Sequence, residues 1–127
     1  MTTLPCPCGS GMGYARCCRP SVRGYATAAT AEALMRSRYT AYVRRDAEYL
    51  LRTWHPSTAP DSVDVDDAVW LGLEVLATDA GGADDATGSV TFVARYQLPG
   101  GALEELRETS RFVREQGEWL YLYGDVD

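Results

Sequence analysis

The sequence predicts an α+β protein: two helices and then a curved antiparallel sheet, behind a short cysteine-rich knuckle. Three features predict it. Apolar residues recur at helical spacing between residues 30 and 54, and that pattern ends at Pro56. Strand-like alternation, broken by glycine-bearing turns, fills residues 69–124. All four cysteines of the 127-residue chain lie within its first eighteen residues. Connections as short as those between the expected strands join antiparallel neighbours, so the second half reads as a meander.

The knuckle comes first. Cys6-Pro7-Cys8 and the adjacent pair Cys17-Cys18 enclose a run that begins Gly9-Ser10-Gly11. Adjacent Cα atoms sit about 3.8 Å apart, below the usual separation across a disulfide. A Cys17–Cys18 bond is therefore strained, and a Cys6–Cys8 bond closes a cramped ring, while cross-pairing between the two ends stays sterically open. Two thiolates at each end, converging on one point, are what a tetrahedral four-cysteine zinc site requires. The glycines allow a tight turn that aims backbone N–H groups at the sulfurs. The reading adopted is one structural Zn²⁺ on Cys6, Cys8, Cys17 and Cys18. A closed four-thiolate site has no open coordination position, which argues against catalytic use of the metal.

Residues 21–29 are small and irregular and read as a linker. Thr30 is the expected N-cap of the first helix, with Glu32 in the first turn where the dipole favours an acid. Leu34, Met35, Tyr39, Tyr42 and Val43 then mark one amphipathic helix of about fourteen residues. Asp46 caps a second, short helix with Tyr49, Leu50 and Trp54 on its apolar face, ended by Pro56. Residues 57–68 form an acidic loop. Asp61, Asp64, Asp66 and Asp67 lack the glycine and the closing glutamate of a calcium-binding EF-hand, so a solvated loop is expected. Strands are expected at 69–78, 89–98, 103–114 and 118–124, with Val90, Phe92, Ala94 and Tyr96 on one face. The expected core is Leu34, Met35, Tyr42, Leu50, Trp54, Phe92, Phe112 and Trp119.

The string Cys6-Pro-Cys-Gly-Ser-Gly-Met-Gly-Tyr-Ala-Arg-Cys-Cys18 resembles the SEC-C motif, the zinc knuckle also found at the C-terminus of the SecA translocase, in its Cys-Cys variant. The stretches Thr30-Ala-Glu-Ala-Leu-Met-Arg-Ser-Arg-Tyr-Thr-Ala-Tyr-Val43, Tyr49-Leu-Leu-Arg-Thr-Trp-His-Pro-Ser57 and Glu108-Thr-Ser-Arg-Phe112, followed by Trp119 and Tyr121, resemble the YchJ family, also called UPF0225. The likeness spans essentially the whole chain. It implies a knuckle over residues 1–22, an NTF2-like cone over residues 25–127, and no established activity.

Composition closes several avenues. All twelve basic residues are arginine and the single histidine is His55. Without lysine there is no Walker-A loop and no Schiff-base chemistry. One histidine excludes HExxH proteases and centres needing several histidine ligands. Charge is segregated: residues 1–52 carry eight arginines against three acids, and residues 53–127 four arginines against fifteen acids. No stretch approaches the ~20 apolar residues of a membrane span. No basic region followed by an apolar run opens the chain, so with clustered metal-suited cysteines a cytoplasmic protein is expected.

Two functional classes follow. An interaction module would use the knuckle, with Tyr14 exposed beside Arg16, Arg19 and Arg23 to meet an acidic protein segment or a phosphate-bearing surface; this is the favoured reading. The resemblance to SecA's knuckle implies partner contact by analogy, and NTF2-like relatives often dimerise through the sheet, which makes a homodimer a further expectation. The alternative is a small-molecule-binding or isomerase-like protein using the cone. Its candidate lining residues are Tyr39, Tyr42, Trp54, His55, Tyr96, Glu108, Arg111 and Tyr121, with His55 and Glu108 the only catalytic candidates. His55 is expected to anchor a loop, and no motif requires an enzyme. A cone plugged by aromatics favours the module; an open cavity holding His55 or Glu108 favours the small molecule.

Overall fold

The computed structural model describes residues 4–65 and 67–126. Helices α1 (Arg19–Val22), α2 (Ala31–Val43) and α3 (Ala47–Arg52) precede strands β1 (Val69–Ala80), β2 (Thr87–Gln97), β3 (Leu103–Glu115) and β4 (Glu118–Val126). The strands form one antiparallel sheet in the order β1-β2-β3-β4. This is the α+β, NTF2-like arrangement that the periodicity and the resemblance predict.

Both expected N-caps operate. Thr30 is extended, and its hydroxyl accepts the Ala33 N–H at 3.0 Å. The Asp46 carboxylate accepts the Tyr49 N–H, also at 3.0 Å. Each satisfies a donor that the helix cannot pair internally. Helix α3 ends at Arg52, before Pro56 can act. β4 captures the chain there: Tyr121 N–H donates to the Thr53 carbonyl, and His55 N–H donates to the Tyr121 carbonyl, each at 2.8 Å. The expected linker also begins later than its composition suggests, because Pro20 opens the short helix α1. Proline suits a first helical turn, where its missing N–H has no partner to lose.

The sheet curves where its register slips. β1 carries irregularities at Trp70/Gly72 and Val75/Ala77, and the β3–β4 pair carries one at Arg111/Phe112. Bulges of this kind bend a strand and increase its twist. Helix α2 lies in the resulting trough. Val90, Phe92 and Ala94 from β2, with Ser110 and Phe112 from β3, point inward and are buried. The outer face is solvated and ionic: Arg95 bridges Glu105 at 2.9 Å and Glu74 at 3.4 Å, and Arg111 meets Asp125 at 3.5 Å.

Of the expected core, Leu34, Met35, Leu50, Phe92, Phe112 and Trp119 are buried. Tyr42 and Trp54 are only half-buried, because both border a cavity. Asp61, Asp64 and Asp67 lie in the loop between α3 and β1, and Asp66 falls outside the described residues.

Leu50 is fully buried, so Leu50→Ala should cost about 2–5 kcal/mol. Loss of the cap in Thr30→Ala should cost about 1 kcal/mol. Denaturant melts of the two variants beside the parent chain check this ranking.

Candidate metal centre and cone pocket

Four sulfurs meet at the knuckle. The Sγ atoms of Cys6, Cys8, Cys17 and Cys18 all lie within 4.8 Å of one another, and all four cysteines are free. Cys8 and Cys17 are 3.6 Å apart at sulfur, and Cys17 and Cys18 are 4.0 Å apart. A tetrahedron with ~2.3 Å metal–sulfur bonds has edges of ~3.8 Å. The donor set therefore fits a metal ion of that size.

Local backbone bonds build the cluster. Cys6 N–H donates to the Met12 carbonyl at 2.9 Å and Tyr14 N–H to the Leu4 carbonyl at 2.9 Å, closing a small antiparallel loop. Its tip turns at Gly9, whose φ of +77° few side chains adopt without strain. The Ser10 hydroxyl lies 3.1 Å from the Cys17 sulfur and also accepts the Met12 N–H. Cys8 is held down to about 4, chiefly by the hydrogen bond from the Cys18 thiol, with Ser10 and Cys6 adding to it. The Cys18 thiol is pushed up by that same bond and by burial, and burial raises Cys17. The negative charge thus rests on Cys8, beside thiols whose protons a cation would replace.

The knuckle is not a free knob. Cys6, Cys8 and Cys18 belong to the same buried cluster as Leu34, Met35 and Phe92. Arg36 of α2 donates to the Cys8 carbonyl at 2.8 Å while pairing with Glu32 at 3.0 Å. Thr40 Oγ1 lies 3.7 Å from the Cys6 sulfur. A Cβ on Gly9 would come within 3.2 Å of the Leu73 carbonyl of β1.

The residues expected to form a recognition surface divide. Arg16, Arg19 and Arg23 are exposed. Tyr14 is not their exposed companion. Its ring packs against the core with Arg44 stacked on it at 4.7 Å, and its hydroxyl is buried.

On the far side of α2, a partly open cavity of about 230 Å³ runs between the helix and the sheet. Tyr39, Tyr42, Trp54, Glu108 and Tyr121 line it. His55, Tyr96 and Arg111 do not. His55 lies 2.7 Å from the Ser57 hydroxyl through Nδ1 and 2.9 Å from Glu115 through Nε2, which makes it a loop anchor. Tyr96 stands behind Trp70, with ring centroids 5.2 Å apart. Arg111 follows the strand alternation to the outer face, opposite Glu108 and Ser110.

The sequence reading did not place Arg38 among the lining residues. It is 6% exposed, and its Nη1 donates to the Leu50 carbonyl at 2.7 Å and to Thr53 Oγ1 at 2.6 Å. Its guanidinium lies 4.6 Å from the Tyr121 ring centroid and 5.2 Å from that of Trp54. Burial lowers its pKa from the usual arginine value. The signal was present: Met35, Arg38, Tyr39 and Tyr42 follow the i, i+3, i+4, i+7 rule of one helix face. Glu108 accepts the Ser110 hydroxyl at 2.6 Å and lies over Gly124, where a Cβ would collide with its carboxylate. Burial first, and Glu108 second, push the Tyr121 phenol up to about 12, so it is a donor at neutral pH.

A curved sheet wrapped on one long helix, with a four-cysteine cluster docked behind that helix, defines an NTF2-like domain carrying a SEC-C knuckle. The comparisons agree. Residues 30–124 match the family model for the YchJ middle NTF2-like domain, and residues 3–20 match the SEC-C motif. The chain belongs to the UPF0225 family. It is 52% identical to a UPF0225 protein of Xanthomonas campestris pv. campestris, over 94% of this chain and 93% of that one. A Streptomyces coelicolor UPF0225 protein is also 52% identical, over 98% of each chain. The solution structure of a SEC-C motif protein from Rhodopseudomonas palustris superposes with a TM-score of 0.86 at 34% identity, covering 98% of this chain and 99% of that one.

Gly9→Ala tests the docking of the knuckle. The left-handed backbone alone should cost about 1–2 kcal/mol, and the Leu73 carbonyl leaves the new methyl no easy retreat. Thermal melts with metal present should show the loss, and hydrogen exchange should rise in residues 4–18 ahead of the sheet.

Proposed function

We propose that this protein binds a small organic molecule in its cone, and that its four thiolates hold a structural Zn²⁺ that fixes the knuckle onto α2. One observation carries the cone reading: a buried arginine and a carboxylate, Arg38 and Glu108, border the same aromatic-walled cavity. The aromatic residues of the cone line the cavity and leave it partly open. At about 230 Å³, the space lies below the ~300 Å³ at which drug-sized pockets begin, so the ligand is small. An isomerase-like reaction would rest on Glu108 alone, since His55 is occupied elsewhere.

The sulfur spacing supports zinc, and a closed site supports a structural role. Among the described residues no helix is long and apolar enough to cross a membrane; the cytoplasmic placement rests on the clustered, metal-suited cysteines. A second reading keeps the adaptor role on Arg16, Arg19 and Arg23, which are exposed and form no ion pair among the described residues. Affinity capture with a triple Arg→Ala variant at these positions should lose a salt-sensitive acidic partner if that reading holds. Leu71, Tyr123 and Val126 are exposed on the sheet and are where we place the expected homodimer contact.

Two measurements test the main reading. Protein purified without chelator should carry one zinc per chain, and Cys8→Ser should lose both the zinc and thermal stability. The chain has three tryptophans, and Trp54 and Trp70 line the cone whereas Trp119 does not. Small organic probes should shift the indole N–H signals of the first two and leave Trp119 in place. Millimolar probes that move neither Trp54 nor Trp70 would remove the cone from consideration.

A further inference from the structure

The ionic groups of the cone narrow its ligand further than its shape does. Arg38 is nine-tenths buried, yet no carboxylate lies within 4 Å of it among the described residues. Both of its hydrogen bonds to the protein leave from Nη1. Trp54 and Tyr121 lie against its guanidinium. Aromatic contact compensates a buried cation only in part. The Nε–H and Nη2 edge is the fork that meets a carboxylate with two parallel bonds.

Glu108 sets the second condition. Its carboxylate takes one hydrogen bond from Ser110 and retains capacity for further donors. A bare anion beside it would be repelled, whereas an anion carrying its own hydroxyl or amine can donate to it. The walls between these groups are aromatic, formed by Tyr39, Tyr42, Trp70 and Phe92, and a ring face is a surface on which a flat ligand can stack. Water occupies ~30 Å³ per molecule in the liquid, so a space of about 230 Å³ holds about eight water-sized groups, or somewhat more heavy atoms where covalent bonds draw them together. We propose, on the reading that the cone is the working site, that it takes a small planar organic acid bearing a hydrogen-bond donor, with the carboxylate at Arg38 and the donor at Glu108.

The competing account makes Arg38 only a clamp that ties α2 to the α3 corner through Leu50 and Thr53. Three probes separate the two: 4-hydroxybenzoate, benzoate and phenol, titrated against the metal-loaded full chain and read at the Trp54 and Trp70 indole signals. In the parent protein, 4-hydroxybenzoate should bind at least about tenfold more tightly than benzoate or phenol, a difference of ~1.4 kcal/mol. Glu108→Gln, which can still accept from Ser110, should erase its advantage over benzoate. Arg38→Lys keeps the charge and loses the fork. It should weaken both carboxylates about tenfold and leave phenol unchanged, with a melting curve to show that the fold persists. Should Arg38→Lys unfold the chain, the Glu108→Gln comparison decides alone. Phenol binding as tightly as 4-hydroxybenzoate, or an unaltered preference in Glu108→Gln, overturns the ligand class. Toluene shifting Trp54 and Trp70 while the acids do not would also overturn it, yet keep the cone as a binding site. No response to any probe, toluene included, would sink both.

Discussion

Helix α2 is covered on nearly every side, and the rest of the molecule is arranged around that fact. Eight of its thirteen residues are buried, among them Ser37, Arg38 and Thr40, which carry polar groups. Such groups are tolerable inside only when paired. The Ser37 hydroxyl donates to the Leu34 carbonyl at 2.8 Å and lies 2.7 Å from the Tyr49 hydroxyl. Thr40 faces the Cys6 sulfur, and Arg38 is held by the last turn of α3. A helix of under four turns is marginal alone in water. Here the knuckle, α3 and the sheet each supply one of its missing environments. The metal centre and the cone are consequently two sides of a single wall.

Charge segregation along the chain acquires a spatial meaning in this arrangement. The arginine-rich half supplies the helices and the acidic half supplies the sheet, so cation and carboxylate face each other across the cone as Arg38 and Glu108. Most other acids lie on solvated strands and loops, where ion pairs such as Arg111–Asp125 contribute little.

The architecture was legible because each of its signals is local. A threonine or aspartate cap, a helical period and turn glycines act within a few residues, and the antiparallel strand order followed from short connections. What escaped depends on long-range packing. Tyr42 and Trp54 read as core because periodicity reports which face is apolar, without telling whether that face meets side chains or space. Tyr14 read as an anchor because it sits among exposed arginines, while its burial is decided by Arg44, thirty residues later. Arg111 was grouped with Glu108 despite the strand alternation that separates them.

The docking of the knuckle has a consequence for the order in which the protein is made. Its cysteines leave the ribosome before any of the surfaces that enclose them. Thr40, which covers Cys6, follows by 34 residues, and Leu73, against which the Gly9 turn rests, comes after the entire helical half. At ~5–20 residues per second, that interval lasts seconds, during which four thiols stand open to oxidants and to stray cations. The knuckle is therefore made before the surfaces that complete it, and an ion captured early is what can carry its shape across the delay.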